Sequence, residues 1–111
     1  FNSYTYEDPI RALESRGYRN LVARWIGANA YSYVYNGEAG YLDHALATLP
    51  LASHVKAVHE WHINADEPLA LQYTLAYKSA EQQKTFYAGD AYRSSDHDPV
   101  LIDIALPGGG K

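Results

Sequence analysis

The amino-acid sequence predicts a mixed α/β (α+β) fold, in which a mainly antiparallel sheet carries helices on one face. Helix start and stop signals come first in the chain, β-prone runs around a glycine-containing loop follow, and an apolar run lies close to the end. Because helical segments precede strands joined by short turns, we expect a layered arrangement of helices against a sheet. At 111 residues the chain holds one domain at most.

The first half of the chain carries the clearest local signals. A helix is expected over residues 8–16, because acidic residues and a proline stand at its start and Gly17 follows its last apolar residue. A second short helix is favoured over a strand for residues 20–26. The runs 31–35 and 41–49 flank a glycine-containing loop of ~5 residues and predict a hairpin.

The second half of the chain is less regular. A strand is expected over residues 55–63, a polar loop over 64–68 and an interior strand over 100–106, whereas 69–92 give no confident element. Residues 107–111 read as a flexible tail. Alternation in the first of these strands would place five residues on one side: Val55, Ala57, His59, Trp61 and Ile63.

Composition excludes several classes of function. A net charge of -4 argues against holding nucleic acid by broad phosphate neutralisation, although an acidic nuclease stays possible if metal ions supply positive charge. Without cysteine there is neither a disulfide nor a thiolate site. No apolar run approaches the ~20 residues of a membrane span, so we expect a soluble chain without a membrane partner. The eleven tyrosines suit half-exposed strands and binding surfaces.

The stretch YRSSDHDPV, residues 92–100, places a histidine between two aspartates before an apolar run. The imidazole of His97 can exchange a proton near neutral pH if a carboxylate fixes its tautomer. Neighbours on an extended backbone point to opposite faces, so neither Asp96 nor Asp98 is the natural partner of His97. Asp43, at the start of the second hairpin strand, is the best candidate for that partner.

The remaining charged residues of this stretch suggest ligand contacts. Asp96 is free to face a metal ion, and its hard oxygens suit Mg²⁺, Mn²⁺ or Ca²⁺. Arg93 could reach a substrate phosphate. From spacing alone the plainer interpretation is favoured, in which Asp96 and Asp98 form a turn before Pro99 and His97 is a half-buried polar residue.

The other histidines carry no strong signal. His59 and His62 would point to opposite faces of a strand, and they lack the spacing of a zinc-protease helix. His44 should face away from Asp43 and be structural, and His54 should be solvated in a turn.

Three motifs resemble one family. SDHDPV before an apolar strand resembles the terminal motif of the endonuclease/exonuclease/phosphatase (deoxyribonuclease I-like) superfamily, and YLDHALAT resembles its preceding strand. The segments YSYVYNGEAGYLDHAL, WHINADEP and YRSSDHDPV stand here at 31–46, 61–68 and 92–100, in the order found in the secreted bacterial nuclease branch. The resemblance implies that residues 1–106 are the C-terminal part of a four-layer α/β sandwich.

The same resemblance assigns roles to individual residues. His97 would act on the scissile phosphate, as general acid-base or as a charged stabiliser, and Asp43 would orient it. Asp96 would bind metal or orient water, and Asn2 would hydrogen-bond a phosphate oxygen, since Phe1-Asn2 looks like the end of the family's Gly-Asp-Phe-Asn motif. The glycine and aspartate of that motif, an upstream glutamate and an upstream histidine would lie in a missing N-terminal half.

The expected function is metal-dependent hydrolysis of phosphodiester bonds in DNA or RNA by an extracellular or periplasmic nuclease, with Mg²⁺ or Mn²⁺, or Ca²⁺. The isolated chain should be inactive, bind metal weakly, and pack against the missing half or self-associate through an apolar sheet surface. Two alternatives stay open. One is a phosphatase of the same superfamily acting on lipid or small phosphoesters. The other is a non-catalytic binding domain whose Tyr31, Tyr33 and Tyr35 dock a sugar or protein.

Overall fold

The computed structural model describes residues 2–86 and 89–106. Short helices and short strands alternate along these residues, so the mixed α/β class is confirmed. The helices are α1 Asp8–Ser15, α2 Leu21–Trp25, α3 Leu49–Ala52 and α4 Ala80–Thr85, with 3₁₀ turns at Gly27–Asn29 and Leu69–Leu71. The strands are β1 Arg19–Asn20, β2 Tyr33–Tyr35, β3 Glu38–Gly40, β4 Leu46–Ala47, β5 Val55–Glu60 and β6 Val100–Ile104.

The strands pair only in twos. β1 pairs with β4, β2 with β3 and β5 with β6, all antiparallel. The expectation of a four-layer sandwich, with one sheet covered by helices on one face, is therefore wrong for the described residues. The radius of gyration is 17.2 Å, against about 13 Å for a compact domain of this length. The chain forms a slab 52 × 42 × 19 Å across.

The two N-terminal helices begin and end where the sequence predicts. α1 has a proline in its first turn and Asp8 at its positively polarised end. Gly17 follows with a φ of +92°, a conformation that glycine adopts without a steric penalty. α2 begins after Asn20, whose side chain accepts a hydrogen bond from the backbone N–H of Ala23 at 3.1 Å.

The predicted hairpin is present, but its turn is tighter and its second strand lies earlier. Asn36 and Gly37 have φ angles of +51° and +81°, and together they form the whole connection between β2 and β3. Positive φ at both central residues defines the two-residue turn that matches strand twist. The second strand is therefore β3, and residues 41–49 contribute β4 to the pair with β1 instead.

The alternation expected along residues 55–63 is wrong. The register shifts between Val55 and Ala57, where β5 carries a bulge opposite β6. The extra residue reverses which side chains face inward, so that Val55 and Val58 are buried. The strand also ends at Glu60, which leaves the following residues free to form a loop.

The region 69–92 does contain a helix, α4, that sequence periodicity misses. Ser79 and Gln82 form a reciprocal capping box at its start, in which each side chain binds the other residue's backbone N–H. No residue of α4 is buried, so it lacks the apolar stripe by which helices are recognised.

The core is small, and of the last strand Val100 packs against it. Seven buried residues pack together beneath α2 and β5: Leu21, Val22, Tyr41, Ala45, Ala47, Val55 and Val58. The sequence predicts β6 in a sheet interior, but within the described residues β6 pairs with β5 only, and Leu101 is 45% and Ile104 40% exposed. The expected tail at 107–111 lies outside the described residues. Within them, no helix has the length and apolar character needed to cross a bilayer.

Candidate active site with two histidine–aspartate pairs

His97 and Asp43 form a pair, as the sequence predicts. His97 Nδ1 lies 2.7 Å from Asp43 Oδ2, although 54 residues separate them in the chain. Both side chains are partly exposed, 29% for His97 and 38% for Asp43. Because an ionised carboxylate only accepts hydrogen bonds, Nδ1 carries the proton and Nε2 is left as the ring's other polar atom.

Asp43 is itself held by Ser32, which is fully buried. The Ser32 hydroxyl donates to Asp43 Oδ2 at 2.6 Å and accepts from the backbone N–H groups of Leu42 and Asp43, each at 3.2 Å. A hydroxyl offers one donor and two acceptor positions, so all of its hydrogen-bonding capacity is used. The carboxylate is therefore fixed in position relative to the residue that precedes β2.

The face of the His97 ring packs against an aromatic side chain. The centroids of the His97 and Tyr33 rings lie 4.8 Å apart with their planes tilted by 34°. With Nδ1 bound to Asp43 and one face against Tyr33, the imidazole has few alternative orientations.

A second histidine–aspartate pair lies beside the first. His62 Nδ1 lies 2.8 Å from Asp98 Oδ2, and the His62 side chain is 35% exposed whereas Asp98 is buried. The other oxygen of Asp98 accepts backbone N–H bonds at 3.1, 2.8 and 3.0 Å from Ile63, Asn64 and Ala65. Sequence reasoning missed this pair. Its one available signal was that WHINADEP and SDHDPV, each carrying a partner, occur together in the same resemblance.

Tyr31 covers the second pair. Its ring stacks on His62 with centroids 4.1 Å apart and planes 7° from parallel. The Tyr31 hydroxyl donates to Asp66 at 2.7 Å, and this hydrogen bond, with burial second, raises the pKa of Tyr31 to about 12. Its backbone N–H donates to Glu60 at 3.0 Å. Burial raises the pKa of Glu60 above its usual range, partly opposed by that same bond.

Arg93, expected to reach a substrate phosphate, has a different environment. It is 4% exposed, and its guanidinium donates to the backbone carbonyl of Asn64. Its backbone N–H donates to the Ile63 carbonyl at 3.0 Å, and its own carbonyl accepts from Tyr73 at 3.2 Å. In this conformation Arg93 holds the loop after β5 against the segment before His97, and its charge is directed into the protein.

Neither Asn2 nor Asp96 contributes a hydrogen bond to the two pairs in the described part of the chain. His44 Nε2 lies 2.6 Å from the Ser3 carbonyl, which ties the N-terminal segment to the residue after Asp43. Asn2, one residue before this contact, is exposed. Asp96 is half-buried and makes no side-chain hydrogen bond within the described part of the chain.

The residues described do not complete a site for a divalent metal ion. No group of three or more histidine, aspartate and glutamate side chains in residues 2–86 and 89–106 could hold one. Hard divalent cations take about six oxygen ligands, and Asp96 offers one unengaged carboxylate. Further ligands would have to come from outside this set, so we derive no chemical step through a metal.

Comparison with known proteins adds no relative that could assign this geometry. No family model matches the chain, and no curated protein and no solved structure matches it either. The arrangement of the two pairs and the resemblance of the motifs are what support a function.

Replacing Asp98 should destabilise the fold severely. Asp98→Ala leaves three buried N–H groups and His62 Nδ1 without their acceptor, which should lower the free energy of unfolding by about 3 kcal/mol or more. Urea unfolding followed by tyrosine and tryptophan fluorescence measures the loss. Asp103→Ala, on exposed β6, is the control and should stay within about 0.5 kcal/mol. Equal losses in the two variants would contradict the role of Asp98.

Glu60 should make stability depend on pH. Its folded-state pKa lies above the ordinary 4.5, so the stability that neutral Glu60 contributes is fully present below pH 4.5 and lost as pH rises through the raised pKa. Glu60→Gln keeps an acceptor for Tyr31 and should lose less stability as pH rises. Urea unfolding between about pH 4 and pH 8 tests this, with exposed Glu38→Gln as the charge control. Parallel profiles for wild type and Glu60→Gln would refute it.

Proposed function

We propose that this chain is the C-terminal part of the catalytic domain of a divalent-metal-dependent nuclease that hydrolyses phosphodiester bonds in DNA or RNA outside the cytoplasm, in the periplasm or the extracellular space. The observation that supports it best is the 2.7 Å contact between His97 Nδ1 and Asp43 Oδ2. The contact joins two of the three motifs that carry the resemblance to the deoxyribonuclease I-like superfamily, through side chains 54 residues apart in the chain.

The pair suits proton transfer at a phosphate. With Nδ1 held by Asp43, the His97 Nε2 atom can exchange a proton with a phosphate oxygen or donate a hydrogen bond to it when the ring is protonated. In hydrolysis, water adds to phosphorus, the bond to the leaving ester oxygen breaks and that oxygen needs a proton. A positioned acid-base residue contributes about 10²–10⁴ to the rate of such a step.

The rest of the proposed site is incomplete in this chain. Asn2 is the proposed phosphate contact and Asp96 the proposed ligand for Mg²⁺ or Mn²⁺, with the remaining groups supplied by an N-terminal half of the same domain. The isolated chain should therefore bind these metals weakly and hydrolyse little. The exposed apolar residues of β6 and the 19 Å thickness of the slab support a missing layer.

Removing His97 should abolish most activity of the full-length protein. Both His97→Ala and His97→Asn should lower the rate of plasmid DNA hydrolysis by two or more decades, or about a hundredfold, while the circular dichroism spectrum stays unchanged. His97→Asn retains a donor near the Nδ1 position for Asp43 but has no Nε2, so it separates the loss of chemistry from the loss of the pair.

A matched histidine variant completes the design. His59→Ala removes an exposed imidazole from β5 and should leave the rate within about twofold of wild type. An unchanged rate in His97→Asn would remove His97 from the reaction. Hydrolysis of phosphoinositides but not plasmid DNA would favour the phosphatase of the same superfamily.

The isolated chain should associate through its uncovered strand. Leu101 on one face of β6, and Ile102 and Ile104 on the other, are 45%, 37% and 40% exposed, and apolar side chains uncovered on both faces favour association with a partner. Sedimentation velocity should show species larger than 12.4 kDa, and Leu101→Lys with Ile104→Lys should shift them toward monomer. A monodisperse wild-type monomer that binds no hydrophobic dye would contradict this.

A further inference from the structure

Strand β2 carries two parallel aromatic rings that lead away from His97. Tyr33 and Tyr35 lie two residues apart on the strand and so share a face. Their ring centroids are 6.4 Å apart and their planes differ by 10°. The Tyr33 ring also contacts His97, at 4.8 Å between centroids. A row of aromatic rings thus begins at the histidine of the candidate site and continues to Tyr35.

Tyr4 extends this surface. Gly40 is directly opposite Tyr33 in the β2–β3 pair, and directly opposed residues direct their side chains to the same face. A Cβ atom at Gly40 would lie 2.6 Å from Tyr4 Cε1, so the Tyr4 ring lies over the place where a Gly40 side chain would project. Tyr4, Tyr33 and Tyr35 therefore lie on one face of the hairpin, which we call the tyrosine face.

The tyrosine face is preformed and uncovered. Tyr35 is 61% and Tyr4 44% exposed, so these rings are not part of the core. The Asn36-Gly37 turn fixes the register of the hairpin, and parallel neighbours restrict the rings before any ligand arrives. A ligand that stacks on them would lose little binding energy to ordering the protein.

Charge decides what such a ligand can be. The net charge of -4 and the position of Glu38 directly opposite Tyr35 disfavour a phosphate on this face. Nucleic-acid bases, in contrast, are uncharged and stack on aromatic side chains largely irrespective of sequence. A base within a duplex is covered on both sides by its neighbours, so only an unpaired base can offer a face to a tyrosine.

We propose that the tyrosine face binds unpaired bases next to the phosphate at His97, so that the substrate is single-stranded or frayed nucleic acid. The position of the bound bases relative to the reacting phosphate rests on the function proposed above. Stacking holds the strand while His97 stays free to meet the backbone. An acidic chain can thereby hold nucleic acid without a basic surface.

Fluorescence anisotropy of a labelled single-stranded oligothymidylate, titrated with the 111-residue chain, tests the proposal. Tyr35→Ser should weaken binding by about five- to 150-fold, the factor expected when one base loses its aromatic partner. Tyr35→Phe keeps the ring and should bind as wild type does. Tyr77→Ser removes a fully exposed tyrosine that lies beside Leu69 and Lys78, away from the hairpin, and should also leave affinity unchanged.

Two further ligands separate base stacking from other contacts. The same oligonucleotide with abasic sites, and the duplex formed with its complement, should both bind at least fivefold more weakly than the single strand. Binding of either further ligand as tightly as the single strand would overturn the proposal. Wild-type affinity in Tyr35→Ser would overturn it as well. Binding of an oligosaccharide in place of every oligonucleotide would overturn it in favour of a carbohydrate site.

The proposal and the proposed hydrolysis can fail separately. Base stacking does not require the His97 imidazole, so Tyr35→Ser should weaken binding of the single strand by the same factor in the His97→Asn chain as in wild type. Tyrosine-dependent binding together with full hydrolysis in the full-length His97→Asn protein would contradict the proposed function and support the tyrosine face as a binding surface. Loss of hydrolysis in that variant, with Tyr35→Ser binding the single strand normally, would do the reverse.

Discussion

The buried carboxylate of Asp98 is the interaction on which the arrangement of both histidines depends. An ionised carboxylate that is 1% exposed would be strongly destabilising without compensation. Here three consecutive N–H groups, from Ile63, Asn64 and Ala65, converge on one oxygen, and His62 meets the other. Successive backbone amides aimed at one point form an anion-binding concavity. The loop after β5 therefore takes its shape from a single side chain.

Hydrogen bonds connect Asp98 to both members of the first pair, His97 and Asp43. The Asp98 N–H donates to the Ser32 carbonyl at 2.8 Å, and the Ser32 hydroxyl donates to Asp43. Asn64, itself bound to Asp98, donates its side-chain amide to the His97 carbonyl at 2.7 Å. Both His97 and Asp43 are thus one hydrogen bond from a residue that Asp98 holds. The geometry at His97 is set by backbone contacts of a buried charge, although the imidazole itself is partly exposed.

The alternation of side chains along an extended backbone predicted the part of this site that depends on which way neighbouring residues point. Opposed faces excluded Asp96 and Asp98 as partners of His97 and left Asp43, which is where the structure places the contact. The same rule says nothing about which distant amides a residue will meet, so the role of Asp98 was not foreseen. The sequence pattern predicts His62 on a strand, but β5 ends at Glu60, and strand alternation does not extend into the loop that follows.

The same division holds for the fold. The residues that begin helices α1 and α2 are adjacent to them in the sequence, so the positions of both helices can be predicted from local sequence. The extent of the sheets depends on which strands find one another, and no local signal fixes that. β6 is apolar on both faces, which is typical of a strand covered by a layer on each face, yet among the residues that the structure describes it pairs with β5 alone and its side chains are exposed.

The lack of a layer over β6 in the described residues also affects the surroundings of the two histidine–aspartate pairs. Stacked sheets lie about 10 Å apart, so a slab 19 Å thick has room for two layers of structure and no more. The candidate histidines therefore stand close to a surface, with 29% and 35% of their side chains exposed. A proton-transfer site gains from a low-dielectric surrounding in which its hydrogen bonds are stronger than in water. The chain provides two ordered histidine–aspartate pairs with the tyrosine face beside them. A layer of structure covering these residues would exclude water from them.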